Sequence, residues 1–87
     1  MSLHLVACEW ELRLSAWPSA AAIALPRGEL REVEAVECIA QGGERMQLEA
    51  GEHYTVDFLA RMIRPVHRWP RLANAPDAVR VRYVTAA

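Results

Sequence analysis

Hydrophobic and polar residues alternate along much of the chain with the two-residue period of β-strands. The alternation is strict in residues 10–16 near one end and in residues 79–83 near the other. Each of these segments predicts a strand with one buried face. Trp17-Pro18 ends the first of them, because proline has no N–H to donate to a sheet.

Shorter strand-like segments fill the region between them. Ile23-Ala24-Leu25 precedes Pro26 and predicts a short edge strand, although the alanines before it would also suit a helix too short to form alone. Further strands are predicted for residues 45–48, 53–58 and 62–64. In the second of these, alternation is expected to place three apolar side chains on one side: Tyr54, Val56 and Phe58.

Residues 30–40 form the longest strand-like segment, but their alternation is irregular. An uninterrupted strand would place Val33, Ala35, Glu37 and Ile39 on one face, and Glu34, Val36 and Cys38 on the other. Val33 and Val36 are three positions apart, which breaks the alternation and predicts a β-bulge between them, or else a strand with both faces partly covered. The alternative is a helix with one stripe formed by Leu30, Val33, Val36 and Glu37.

Turn-forming residues separate the predicted strands at short intervals. Gly42-Gly43 tolerates the positive φ that a two-residue hairpin loop requires, and Ala50-Gly51-Glu52 marks a second turn. Residues 65–78 contain three prolines and are expected to be mainly loop. The pattern predicts a mainly β fold: a small antiparallel sheet or meander of about six to seven short strands with little helix. Residues 1–87 are expected to form a single domain.

The size and the ends of the chain restrict its class. A domain of 87 residues buries only about 60% of the surface that its unfolded chain exposes, so help from a partner chain is expected. Residues 1–8 have no basic segment and no cleavage pattern, which argues against a secretory signal. The uncharged run Leu14–Pro26 is too short to span a bilayer, so no membrane contact is expected.

Charge is divided unevenly along the chain, and every basic residue is an arginine. Residues 1–57 carry four arginines against ten acids, a net charge of −6, whereas residues 58–87 carry six arginines against one acid, a net charge of +5. Such asymmetry is typical of a nucleic-acid surface or of an acidic face that meets a basic face on another copy.

The sequence offers no set of residues for catalysis or metal binding. No serine lies in a nucleophile elbow, and His4, His53 and His67 lack partners at metal-ligand spacing. Glu32, Glu34 and Glu37 suit a solvated strand face, and without a secretory signal Cys8 and Cys38 are expected to be reduced, Cys38 in the core. We therefore expect a protein that is not an enzyme and has no cofactor.

The arginines of the second half are the candidate contact residues. Guanidinium groups bind carboxylates and phosphates in a bidentate way, so this set is expected to contact a neighbouring subunit or DNA: Arg61, Arg64, Arg68, Arg71, Arg80 and Arg82. Trp69 lies between Arg68 and Arg71, an arrangement also found on nucleic-acid surfaces. The alternative function is therefore a small nucleic-acid-binding β module that uses Arg64, Arg68, Trp69 and Arg71.

The order of short motifs over residues 9–85 resembles one known family. These motifs are Glu9-Trp10-Glu11-Leu12-Arg13-Leu14, Trp17-Pro18, Ile23-Ala24-Leu25-Pro26-Arg27-Gly28, Gly42-Gly43, Tyr54-Thr55-Val56-Asp57, Arg61-Met62-Ile63-Arg64-Pro65, Trp69-Pro70 and Ala78-Val79-Arg80-Val81-Arg82-Tyr83-Val84. Together they resemble the β-rich portion of the head–tail connector (adaptor) proteins of tailed phages and gene transfer agents.

The resemblance implies a structural role. Members of that family form a dodecameric ring between the portal and the stopper or tail of the particle, and the ring surrounds the DNA channel. It implies that this chain is a neck component of a phage-like particle assembled in the bacterial cytoplasm. The implied partners are further copies of the chain, a portal protein and a stopper or tail protein, with non-specific contact to DNA left open.

Overall fold

The computed structural model describes residues 7–86 and contains seven β-strands and no helix within that range. The strands are β1 (Cys8–Leu14), β2 (Ile23–Ala24), β3 (Leu30–Ile39), β4 (Arg45–Leu48), β5 (Tyr54–Asp57), β6 (Met62–Pro65) and β7 (Val79–Thr85). The prediction of a mainly β fold with six to seven short antiparallel strands is confirmed, and the helical alternative for residues 30–40 is wrong.

The strands form two antiparallel sheets. The larger has the order β1-β7-β3-β4, and the smaller has the order β2-β6-β5. The last strand of the chain lies in the middle of the larger sheet, paired with β1 on one side and with β3 on the other. Sequence order is therefore not spatial order, and β1 and β4 are the edges of the larger sheet.

The predicted irregularity in β3 is a real break in its pairing with β7. The register shifts between Leu30 and Glu32 and again between Val33 and Ala35. The second shift absorbs Glu34, so Val33 lies opposite Tyr83 and shares its face with Val36, which lies opposite Val81. The predicted β-bulge is therefore confirmed: the extra residue brings Val36 to the face of Val33 and moves Ala35 to the other face, unlike in an uninterrupted strand.

One hydrophobic core joins the two sheets. From the larger sheet it takes the inward residues of β7 and β3, and Val79, Val81 and Val36 are fully buried. From the smaller sheet and the segment after β2 it takes Ile23, Ile63, Tyr54 and Leu25. Cys38 is part of this core and is 2% exposed, as its apolar surroundings in the sequence predicted.

The β3–β4 turn lies where Gly42-Gly43 predicted it, but it is longer than a two-residue loop. Residues 40–44 lie between the paired Ile39 and Arg45, and of the two glycines only Gly43 takes a positive φ, 90°, a value that glycine reaches without strain. Residues 65–78 are mainly loop, joined to the end of β3 by the bridge between Ala40 and Leu72. Phe58 was predicted to extend a strand beside Tyr54 and Val56, but β5 ends at Asp57 and Phe58 begins a turn.

Two expectations concern membranes and the start of the chain. No helix within residues 7–86 has the length and apolar character needed to cross a membrane. The expectation about a secretory signal concerns residues 1–8, of which 1–6 lie outside the described part, as does His4.

Candidate interaction surfaces

The turn between β5 and β6 exposes two large apolar side chains. Asp57 pairs with Met62, so the hairpin closes over a loop of four residues, 58–61. At this tip Leu59 is 98% exposed and Phe58 is 51% exposed. Single exposed apolar residues are ordinary, but two adjacent ones on one turn form an apolar patch that residues 7–86 leave uncovered. We call residues 58–61 the hairpin tip.

The hairpin tip is held in one shape by its own backbone and by neighbouring segments. The Asp57 carboxylate accepts a hydrogen bond from the N–H of Ala60 at 2.9 Å. The Arg61 carbonyl accepts one from the N–H of Leu25 at 2.9 Å, which ties the turn to the end of β2. Arg61 has a φ of 56°, an uncommon conformation for a residue with a side chain. A turn shaped in advance loses less conformational freedom when it binds.

The outward face of the larger sheet carries acidic and basic side chains next to each other. Arg82 lies opposite Glu11 on β1, and Arg80 lies opposite Glu37 on β3. Glu37 is 3.9 Å from Arg82 and 3.7 Å from Arg45 on β4, so one carboxylate joins three strands. The arginines of β7 thereby lie between the acidic side chains of β1 and those of β3. Much of the charge asymmetry of the sequence is therefore neutralised within a single chain.

Arg13 adds a further pair to this outward face. Its guanidinium lies 2.8 Å from the Glu11 carboxylate and 3.8 Å from that of Asp77. The hydrogen bond that the Arg13 guanidinium donates to the Glu11 carboxylate is the main reason that the pKa of Arg13 is raised above its ordinary value. Arg80 keeps a buried Nε without a hydrogen-bond partner in the described residues. A depression beside these groups is lined by Glu9, Trp10, Glu11, Glu34 and Arg82.

The six candidate arginines lie in three parts of the fold. Arg80 and Arg82 belong to the outward face of the larger sheet, Arg61 and Arg64 to the β5–β6 hairpin, and Arg68 and Arg71 to the loop before β7. Arg64 lies 3.9 Å from Asp57, which partly neutralises it. Arg68 and Arg71 are exposed and form no ion pair within residues 7–86. The arginines therefore do not all belong to one surface.

The two tryptophan-proline dipeptides meet in space. The rings of Trp17 and Trp69 stack with their centroids 4.4 Å apart and their planes 8° from parallel. The indole N–H of Trp17 donates to the Pro70 carbonyl at 2.7 Å, and that of Trp69 donates to the Ala21 carbonyl. We call this arrangement the tryptophan clasp. One face of Trp69 and its N–H are thus occupied by the chain itself, which weakens the case for Trp69 as a base-stacking platform.

The third tryptophan, Trp10, connects the start of β1 to the end of β7. The indole N–H of Trp10 donates to the Thr85 hydroxyl at 2.9 Å, and the Arg27 guanidinium lies 4.4 Å from the ring centroid. Thr85 is buried, so its hydroxyl gains a partner that water cannot supply. These contacts join the start of β1, the end of β7 and the segment between β2 and β3.

The acids, histidines and thiols that could serve in catalysis or metal binding do not lie close together within the described residues. Glu32 and Glu34 are exposed, as expected for a solvated strand face. His53 accepts a hydrogen bond through Nδ1 from the N–H of Glu49 at 2.8 Å, which is a structural contact in a turn. No cluster of three potential metal ligands occurs within residues 7–86. Burial raises the pKa of the Cys38 thiol, which keeps this sulfur in its unreactive protonated form.

Neither the exposed hairpin tip nor the tryptophan clasp was predicted from the sequence. The repeated Trp-Pro dipeptide was visible in the sequence, but nothing local indicated that the two copies would meet. Comparison of the chain with protein-family models, with curated proteins and with solved structures found no match.

Proposed function

We propose that this chain is a non-enzymatic head–tail connector subunit of a phage-like particle, which forms part of a ring between the portal and the stopper or tail. The observation that carries the proposal is the hairpin tip, where Leu59 and Phe58 are exposed on a braced turn. Such a projection suits insertion into an apolar recess of an adjoining protein. The order of motifs in the sequence supports the same role.

The energy available at the hairpin tip is enough for a specific contact. Full burial of a leucine or phenylalanine side chain stabilises by about 1.5–3 kcal/mol. Leu59 is almost fully exposed and Phe58 about half exposed, so the pair offers about 2–4 kcal/mol. Apolar anchors of this strength commonly dominate an interface. The partner is the portal or the stopper of the same particle, whose gene is expected beside that of this chain.

The experiment measures binding of the chain to these two neighbouring proteins, by mass measurement of mixtures and by negative-stain imaging. A double substitution, Phe58→Ser with Leu59→Ser, is expected to weaken binding by about 30-fold or more. Val66→Ser is the matched control, since Val66 is 39% exposed but lies beyond β6, away from the tip. A chain that stays monomeric and binds neither protein would refute the proposal.

The nucleic-acid alternative has a separate test. Exposed Arg68 and Arg71 favour it, because neither guanidinium is paired within the described residues. Binding through phosphates should weaken steeply as salt rises. No binding to DNA or RNA at low salt would eliminate this alternative.

A further inference from the structure

Within the described part of the chain, neither edge strand of the larger sheet pairs with another strand on its outer side. β1 has seven residues, and every one of them pairs with β7 on a single side. β4 has four residues, paired with β3 only. An open edge presents unpaired N–H and C=O groups to any strand that fits, and proteins usually block it with a proline, a bulge or an inward-pointing charge.

β1 has none of these blocking features. It contains no glycine or proline, its register with β7 is unbroken, and its inward residues are all uncharged. The inward apolar row is also incomplete at this edge. Val79, Val81 and Tyr83 on β7 are at most 1% exposed, whereas Trp10 and Leu12 beside them on β1 remain partly exposed. A further strand next to β1 would cover them.

We propose that β1 of one copy pairs with β4 of the next copy, so that the larger sheet continues from subunit to subunit. Strand directions allow this, because the order β1-β7-β3-β4 is antiparallel throughout and the β1 of the next copy again runs opposite to β4. The choice of β4 rather than a second β1 rests on the proposed ring, since only a head-to-tail contact extends around a ring.

One register matches both faces of this contact. Placing Arg45 opposite Glu11 brings Gln47 opposite Glu9 on the outward face. The inward face then has Met46 opposite Trp10, two partly exposed apolar side chains. Moving the register by two residues in one direction would set Arg45 opposite Arg13, a like-charge pair that destabilises a sheet. Moving it the other way would keep Arg45 opposite an acid, Glu9, but would lose the contact of Met46 with Trp10 and place Gln47 beyond the start of β1.

The intramolecular partners of these charges do not prevent the contact. Arg45 is 3.7 Å from Glu37 and its side chain is 55% exposed, and Glu11 is paired with the exposed Arg13. Exposed ion pairs hold their partners weakly, so both groups can be shared with a neighbouring copy.

Disulfide trapping tests the register directly. Residues opposite each other in an antiparallel pair have Cα atoms about 4.5–5.5 Å apart, which suits a disulfide. A chain with Gln47→Cys and Glu9→Cys, in a Cys8→Ser background, is expected to give a ladder of covalent oligomers on oxidation. The matched control replaces Gln47→Cys by Glu52→Cys, at an exposed turn residue beyond β4, and is expected to give no ladder. Both are oxidised alone and with the portal protein present.

A charge reversal gives a second measurement on the same contact. Arg45→Glu and Glu11→Arg are each expected to weaken self-association by about two- to fivefold, and the double variant is expected to recover it. Circular dichroism checks that each variant keeps its fold.

The outcomes separate this contact from the proposed function. An assembly of several copies that forms no ladder overturns the β1–β4 contact and leaves the connector role intact. Dimers from Glu9→Cys alone would show a β1–β1 contact and also overturn it. A strict monomer, alone and with the portal, overturns both proposals.

Discussion

The tryptophan clasp is expected to be a principal support of the long loop before β7. Trp17 lies just after β1, and Trp69 lies in the loop between β6 and β7. The stacked rings and the two indole hydrogen bonds hold these segments together. The perturbation is Trp17→Phe, which keeps an aromatic ring but removes the N–H donor, and Trp17→Leu, which removes the aromatic ring as well.

The expected losses come from the contacts just described. One net hydrogen bond contributes about 1 kcal/mol, so Trp17→Phe should lower the free energy of unfolding by about that amount. A stacked aromatic pair adds about 0.5–1.5 kcal/mol beyond the area that it buries. Trp17→Leu should therefore cost about 1.5–2.5 kcal/mol. For a domain of this size, a loss of 1 kcal/mol lowers Tm by about 4–8 °C.

A double-mutant cycle isolates the pair itself. Trp17→Leu and Trp69→Leu, singly and together, are compared by urea unfolding followed by far-UV circular dichroism, which does not depend on tryptophan emission. The interaction energy is expected to reach about 1 kcal/mol or more. The control cycle combines Trp17→Leu with Trp10→Phe, at the other end of β1, and should be additive to about 0.5 kcal/mol. Additivity of Trp17 and Trp69 to the same degree would refute the clasp.

Other substitutions test the turn, the end of β7 and the buried thiol. Arg61→Gly is expected to stabilise by about 0.5–1 kcal/mol, because a φ of 56° suits glycine; urea unfolding beside Arg61→Ala measures this, and no difference between the two would contradict it. Thr85→Val should cost about 1–2 kcal/mol by leaving the Trp10 N–H unpaired, and clearly less in a Trp10→Phe background. Because burial raises the pKa of Cys38 in the folded state, its contribution to stability is complete below about pH 8.5 and declines as pH rises. Between about pH 8 and 10, the urea concentration at the unfolding midpoint should therefore fall less for Cys38→Ala than for the parent protein. Parallel plots of midpoint against pH for the two proteins would argue against this effect.

The local alternation of apolar and polar residues was sufficient to predict the strands, because each strand has one face toward the core. The alternation that predicted β1 and β7 is the alternation of burial in these strands, although β1 ends at Leu14 and the predicted last two residues, Ser15 and Ala16, are both exposed in a bend. The irregular spacing of Val33 and Val36 likewise located the bulge in β3. These features depend on neighbours in sequence, which is why they could be predicted without knowledge of the fold.

The features that the sequence did not reveal depend on residues far apart in the chain. The tryptophan clasp joins positions 52 residues apart. The larger sheet likewise depends on β7, the last strand of the chain, returning between β1 and β3. The prediction that Phe58 belongs to a strand was wrong for a different reason. Its spacing from Tyr54 and Val56 suits a strand, but the Asp57 carboxylate accepts the Ala60 N–H and turns the chain one residue earlier.

The return of β7 also changes what the charge asymmetry of the sequence means. An acidic first half and a basic second half suggest two surfaces of opposite sign, but the topology places Arg82 beside Glu11 and Glu37. A mixed face of this kind has little long-range field and binds by local matching of charges, since opposite charges in contact distance dominate once the net charge is small. The charges that would direct the proposed β1–β4 contact are then those at the edges of the sheet, Arg45 on β4 and Glu11 on β1. We therefore expect that contact to weaken when the register moves so that Arg45 faces Arg13, and we expect its strength to depend only modestly on salt.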